Sequence, residues 1–229
     1  MEQKIMTTIR LAVLDMAGTT VADDGLVVRA FDEAATAVGL PESGPERDDA
    51  RRYVLDTMGQ SKIVVFRALF GSDERARIAN DAFERAYERF VDAGDVTAIP
   101  GAEKTITQLR EAGVKVALTT GFSRSTQDRL LDALGWRDLA DIALTPADAG
   151  RGRPYPDMIL TALLRTGTDD VREIAVVGDT AGDVLSGLRS GASVVAGTRT
   201  GAHDEATLRE AGATHVLDSI AALPALILS

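Results

Sequence analysis

Cysteine is missing from all 229 residues, so disulfides and thiolate metal sites are excluded. Aromatic residues are scarce at 4 %, with a single Trp, and the apolar interior therefore has to be built from Ala, Val, Leu and Ile. No apolar run approaches the length needed to cross a bilayer. The opening segment Met1–Met6 lacks the apolar stretch of a signal peptide, and a cytoplasmic location is the expectation. Basic residues are outnumbered, 25 Lys and Arg against 35 Asp and Glu, for a net charge of -10. That balance argues against nucleic acid or an anionic membrane surface as the main partner, although a few cations can still dominate one site. What remains is ordinary for a globular protein: 45 % hydrophobic and 26 % charged residues. The chain is long enough for one large domain or two small ones with a real core.

Hydrophobic periodicity divides the chain. Ile9–Leu14 is an apolar run of strand type. Helical spacing follows in Leu26, Val27, Ala30, Phe31, Ala34, Ala35, Val38 and Leu40, and the pattern stops at Gly39–Pro41. A polar break at 42–46 precedes a second helical stretch through Val54, Leu55 and Met58. Lys62–Phe70 is a third, and Asp73 to about Val91 reads as a long amphipathic helix. No strand pattern appears between about residues 22 and 94. From Val96 onward strands and helices alternate. Strands are predicted at Val114–Thr120, Asp141–Thr145, Glu173–Val177, Ser193–Ala196 and Thr214–Leu217. The helices expected among them include one from Pro100–Gly101 to Gly113, Ser123–Gly135 and Tyr155–Arg165. Near-continuous apolar strands separated by amphipathic helices predict a parallel sheet covered on both faces, with ligands at the carboxyl ends of its strands.

Four short signals fall at such positions. The first is Asp15-Met16-Ala17-Gly18-Thr19-Thr20, directly after the first strand. A carboxylate presented by a rigid strand on a Gly-Thr turn suits attack on a phosphoryl group, because glycine lets backbone N–H groups approach phosphate oxygens. The others are Thr119-Thr120-Gly121, Gly152-Arg153-Pro154-Tyr155-Pro156, and Gly178-Asp179-Thr180-Ala181-Gly182-Asp183. Singly, each has an ordinary reading: Asp179 as a helix cap, Thr120 as a turn residue, Arg153 as a surface cation. Together and in this order they carry more weight. His203 and His215 lie away from these motifs and read as surface or packing residues.

This ordered set resembles the haloacid dehalogenase superfamily of aspartyl phosphotransferases, over essentially the whole chain. The resemblance implies an α/β fold in which residues 1–21 and 95–229 form a Rossmannoid parallel-sheet core and residues 22–94 an inserted all-helical cap. It implies Asp15 as nucleophile, Thr120 as a hydrogen-bond donor to the phosphoryl group, and Arg153 as the cation that neutralises the transition state. It also implies Mg2+, held by Asp15, Asp179 and the Ala17 carbonyl, with Asp183 orienting waters or Asp179. In most members with the first motif, a second Asp two places after the nucleophile protonates the leaving group; here that residue is Ala17.

Three details are similar to the phosphonatase branch of that superfamily. They are the Asp-x-Ala-Gly-Thr-Thr motif, Arg153 where the more usual residue is Lys, and Met58-Gly59-Gln60-Ser61-Lys62 followed by Phe66-Arg67-Ala68-Leu69. In that branch the lysine of the last segment forms a Schiff base with the substrate aldehyde, which implies Lys62 here. Met58, Gly59, Thr19 and Gly121 are then expected at the substrate. Two positions depart from the branch: Val65 stands in place of a histidine, and Phe122 in place of a tyrosine. Gly59-Gln60-Ser61-Lys62 also fits the specificity loop of helical-cap phosphatases. The resemblance therefore implies a Mg2+-dependent hydrolase of a small phosphonate such as phosphonoacetaldehyde. The alternative is a phosphomonoesterase on a small metabolite of phosphoglycolate or sugar-phosphate type. A phosphate-sensing protein without catalysis is disfavoured by the retained Asp15, Thr120, Arg153 and Asp179. Homodimer formation is left open.

Overall fold

The computed structural model describes residues 8–228; Ser229 and residues 1–7, with the Met1–Met6 segment read above, lie outside them. Six strands form one parallel sheet: β1 (Leu11–Asp15), β2 (Lys115–Thr119), β3 (Ile142–Leu144), β4 (Ile174–Gly178), β5 (Val194–Thr198) and β6 (His215–Leu217). Their spatial order is β3-β2-β1-β4-β5-β6. β1 is buried along its whole length because it is central and both faces are covered. Leu11 and Val13 pack with Ile159 and Ala162 on one side, while Ala12 and Leu14 join the larger apolar cluster on the other.

Four helices separate β1 from the rest of the sheet: α1 (Leu26–Ala37), α2 (Pro45–Asp56), α3 (Lys62–Phe70) and α4 (Asp73–Asp92). The chain leaves and returns through two segments that bond to each other. The Ala22 N–H donates to the Thr97 carbonyl at 2.9 Å, and the Ile99 N–H to the Thr20 carbonyl at 2.9 Å. α2 starts with Pro45 at its first turn, where a missing N–H costs nothing. It ends before Met58, so Met58 and Gly59 lie on the turn leading into α3. The buried Arg47 ties α2 to α1, donating to the Asp32 and Pro41 carbonyls at 2.9 and 2.7 Å.

The remaining helices are α5 (Ala102–Glu111), α6 (Arg124–Leu134), α7 (Pro146–Ala149), α8 (Asp157–Thr166), α9 (Ala181–Ser190), α10 (Glu205–Glu210) and α11 (Leu223–Ile227). α8 starts at Asp157 rather than at Tyr155, because a residue before proline, here Pro156, is kept out of the helical region. The few aromatic rings are concentrated. Phe31, Phe66, Phe70, Phe83 and Phe122, five of the six phenylalanines in the chain, form one contiguous stack with Tyr87. Phe122 follows β2 and meets Tyr87 of α4 at a centroid distance of 4.4 Å, so this stack joins the inserted helices to the sheet.

Candidate active site

β1 and β4 are neighbours whose outgoing connections run to opposite sides of the sheet, and a crevice opens at their carboxyl ends. Asp15 closes β1, and Asp179 and Asp183 follow β4, the latter in the first turn of α9. All three carboxylates are buried, and one oxygen from each lies within 4.8 Å of the others. The turn after Asp15 requires glycine at position 18. Its φ is +87°, and a Cβ there would stand 2.4 Å from Asp179 Oδ2.

Arg153 is the cation of this cluster. Its Nη2 donates to Asp15 Oδ1 at 2.6 Å and to Thr119 Oγ1 at 2.9 Å, and its Nε pairs with Asp183. Its Nη1 reaches the Gly59 carbonyl at 3.1 Å, so one guanidinium touches Asp15, Asp183 and the α2–α3 turn. Asp179 is held separately, by Thr19 Oγ1 at 3.1 Å and by the Ala202 N–H at 2.7 Å. Asp183 also closes a capping box with Thr180, which fixes its orientation at the helix start.

Three buried carboxylates share this single guanidinium, and the electrostatics show the deficit. Burial raises the Asp15 carboxyl well above its ordinary value; Arg153 opposes this, while Asp183 and Asp179 add to it. Asp179 is raised to about 6, again by burial and then by Asp183. Burial and mutual repulsion together disfavour the charged form of these carboxylates. A hard divalent cation among these oxygens would remove the repulsion, and an all-oxygen donor set is the type that Mg2+ takes. The residues therefore fit a metal: Asp15, Asp179 and Asp183, with Ala17 on the cavity wall beside them.

A cavity of about 290 Å³ extends from these carboxylates to the inserted helices. On the sheet side it is lined by Asp15, Ala17, Thr120, Gly121 and Arg153, and on the helical side by Val27, Leu55, Met58, Gly59 and Lys62. Lys62 opens α3 and is 6 % exposed. Among the described residues no side chain pairs with its Nζ, which lies 5.7 Å and 5.6 Å from the ring centroids of Phe83 and Phe122. Burial lowers the affinity of the amine for its proton and Arg153 adds to this, while Asp23, Glu84 and Asp15 act in the opposite direction. The bare backbone at Gly121 lets the helical side seat this closely. A Cβ on Gly121 would stand 2.6 Å from the Gln60 carbonyl oxygen and 2.9 Å from that of Gly59. Further out, Glu84 of α4 accepts from Ser123 Oγ at 2.8 Å and from the Ser123 N–H at 3.3 Å, at the start of α6.

The structure thus brings together Asp15, Ala17, Met58, Gly59, Lys62, Thr120, Gly121, Arg153 and Asp179 around one cavity, with Asp183 behind them. Thr19 differs from the expectation of a substrate contact. Its hydroxyl is bound to Asp179 and its N–H to the Met16 carbonyl, so both donors are already committed. His203 also corrects the sequence reading. It is not remote from the motifs: its N–H donates to the Asp179 carbonyl at 3.2 Å, and its Nδ1 accepts from the Ala181 N–H at 2.9 Å. With Thr200, whose hydroxyl donates to the Gly18 carbonyl at 2.7 Å, it belongs to the loop after β5 that backs the site. Only the position of that loop, at the carboxyl end of a predicted strand, could have pointed to it.

This fold, with a carboxylate-ended first strand and an acidic pair after β4, is that of a class of α/β hydrolases. A model of the haloacid dehalogenase-like hydrolases matches residues 9–191, and the chain belongs to that family. Among curated relatives it is similar to a phosphonoacetaldehyde hydrolase of Pseudomonas putida, 29 % identical over 210 residues that cover 86 % of this chain and 75 % of the relative. A hydrolase from Pseudomonas syringae superposes with a TM-score of 0.83 at 26 % identity, covering 95 % of this chain and 97 % of the other. A predicted phosphoglycolate phosphatase from Haemophilus somnus 129pt shares the fold at a TM-score of 0.80 and 18 % identity, covering 96 % and 99 % of the two chains.

Proposed function

We propose that this hydrolase is phosphonatase-like, cleaving a small phosphonate aldehyde, phosphonoacetaldehyde or a close analogue, to phosphate and an aldehyde. The observation that carries this reading is a buried lysine, paired with no side chain among the described residues, in the cavity that Asp15 lines, combined with alanine where an acid would serve an ester leaving group. In this reading the helices within residues 22–94 act as the cap that brings the lysine to the substrate. Breaking a carbon–phosphorus bond expels a carbanion, and an electron sink has to be supplied. Lys62, whose hold on its proton burial weakens, attacks the carbonyl carbon in its neutral form; water leaves, and an iminium forms on Nζ. An Asp15 oxygen then bonds to phosphorus, the carbon–phosphorus bond breaks, and its electrons flow into the iminium to give an enamine. Water hydrolyses the acyl phosphate on Asp15, and protonation and hydrolysis of the enamine release the aldehyde. Mg2+, when bound, supplies charge neutralisation at the phosphoryl group. Arg153 holds Asp15 in place and is positioned to meet the same developing charge. The name of the Pseudomonas putida relative supports this choice of substrate.

Phosphomonoester hydrolysis is the second reading, favoured by Lys62 lying where it can equally contact an anionic substrate. Borohydride separates the two. With phosphonoacetaldehyde it is expected to inactivate the enzyme and add the mass of the reduced two-carbon adduct at Lys62. Lys62→Arg is then inactive on the phosphonate, because a guanidinium keeps the charge and cannot form the imine. No adduct, together with an active Lys62→Arg enzyme whose loss is mainly in KM, would establish the phosphomonoesterase instead.

A further inference from the structure

Making and breaking an imine requires a group beside the amine that gives and takes protons. Val65, one turn beyond Lys62, does not provide one: it is 3 % exposed and packed into the apolar cluster. The cavity wall carries four carboxylates, Asp15, Asp23, Asp24 and Asp179. Asp15 and Asp179 belong to the phosphoryl end, and Asp24 is exposed to solvent. Asp23 remains. It sits between the outgoing segment and α1 on the same helical side as Lys62, and its Oδ1 accepts from the Val27 N–H at 3.2 Å, which fixes the carboxylate against the cavity.

We propose that Asp23 is the proton-transfer residue for the chemistry at Lys62. This rests on the imine-forming reading of Lys62 given above. Protonated Asp23 gives its proton to the carbinolamine oxygen. The carbon–oxygen bond then breaks, water departs, and the iminium stays on Nζ beside the Asp23 carboxylate. Asp23 is half-buried, so it regains a proton from water and delivers it to the enamine carbon once the carbon–phosphorus bond has broken. The electrostatics fit such a role. Burial raises the Asp23 carboxyl, against the pull of the Val27 N–H and the Lys62 charge, and Asp23 is the largest charge opposing neutralisation of Lys62. The charged and titratable groups facing this pair are Asp24 on the same segment, Glu84 and Tyr87 on α4, and Asp15 and Arg153 from the sheet side.

Asp23→Asn tests this, because the amide oxygen still accepts from the Val27 N–H while the transferable proton is gone. Phosphate release is measured on phosphonoacetaldehyde and on p-nitrophenyl phosphate, which has no carbonyl. General acid–base removal costs ~10²–10⁴-fold, so the ratio of the two turnover rates is expected to fall at least about 10²-fold. The loss should lie in kcat, with the alkaline-side limb of the phosphonate pH profile, which a required protonated acid produces, abolished and the borohydride adduct at Lys62 forming more slowly. An unchanged ratio and pH profile in a variant that still forms the adduct would overturn the role of Asp23 and leave the imine intact. Equal losses on both substrates would overturn it too, as a structural effect. Absence of the adduct in the unaltered enzyme would instead remove the imine-forming reading, and Asp23's role with it.

Discussion

Replacing Asp179 by asparagine should stabilise the metal-free protein at neutral and alkaline pH while abolishing its response to Mg2+. The carboxyl is 2 % exposed and raised from 3.8 to about 6, chiefly by burial and by Asp183. Its proton is held more tightly in the folded chain than in the unfolded one. The stabilising increment is therefore complete below about pH 4 and is lost as pH rises through about 6. A shift of roughly two units corresponds to about 3 kcal/mol at about 1.4 kcal/mol per unit. For a chain of this size that is about 6–12 °C in Tm. Asparagine is accommodated by the existing partners. Its oxygen accepts from the Ala202 N–H, and its amide donates to Thr19 Oγ1, a hydroxyl that can turn from donor to acceptor. Thermal unfolding of chelator-treated protein at pH 4 and pH 8 is the assay, repeated with Mg2+. The variant should match the parent at pH 4 and melt several degrees above it at pH 8. Mg2+ should raise the Tm of the parent alone, by mass action. A variant that melts with the parent or below it at pH 8, or that still gains from Mg2+, would refute the electrostatic account of the cluster.

Asp15→Asn should leave the fold intact and reduce phosphate release by more than about 10⁴-fold, since the shape is kept while the nucleophilic charge is lost; a steady-state assay read against circular dichroism checks both. Gly121→Ala should reduce kcat/KM about 10²-fold. Its Cβ would press on the Gln60 and Gly59 carbonyls and move the turn that leads to Lys62 away from Asp15, and kinetics that match the parent would show that this close seating is unimportant.

The central strands were legible because their middles are buried on both faces: β1, β2 and β4 carry the apolar runs Leu11–Leu14, Val116–Leu118 and Ile174–Val177, which lead into Asp15, Thr120 and Asp179. The charged cluster was legible for the same reason, since each member stands at a fixed step from a strand end or helix start. Other parts left no such trace. α7 is four residues long, too short to show a helical period. Ala202 contributes a backbone N–H to Asp179, and any residue but proline carries one. Glu84 finds its partner Ser123 on another helix, and nothing local marks that pairing. Thr19 matched a motif position, yet its hydroxyl faces Asp179 rather than a substrate, a matter of rotamer and neighbour that sequence does not encode locally.

The two hydrogen bonds that pair the outgoing segment at Thr20–Ala22 with the returning segment at Thr97–Ile99 have a consequence for evolution and design. They make the helical insert a closed excursion whose ends meet at a fixed gate. The entropy of closing such an excursion grows only slowly with its length, so the gate tolerates inserts of very different size. Asp15, Thr120, Arg153, Asp179 and Asp183 all lie outside it. A different module spliced at Ala22 and Thr97 would inherit the acidic cluster intact, and it would be free to bring a new side chain in place of Lys62.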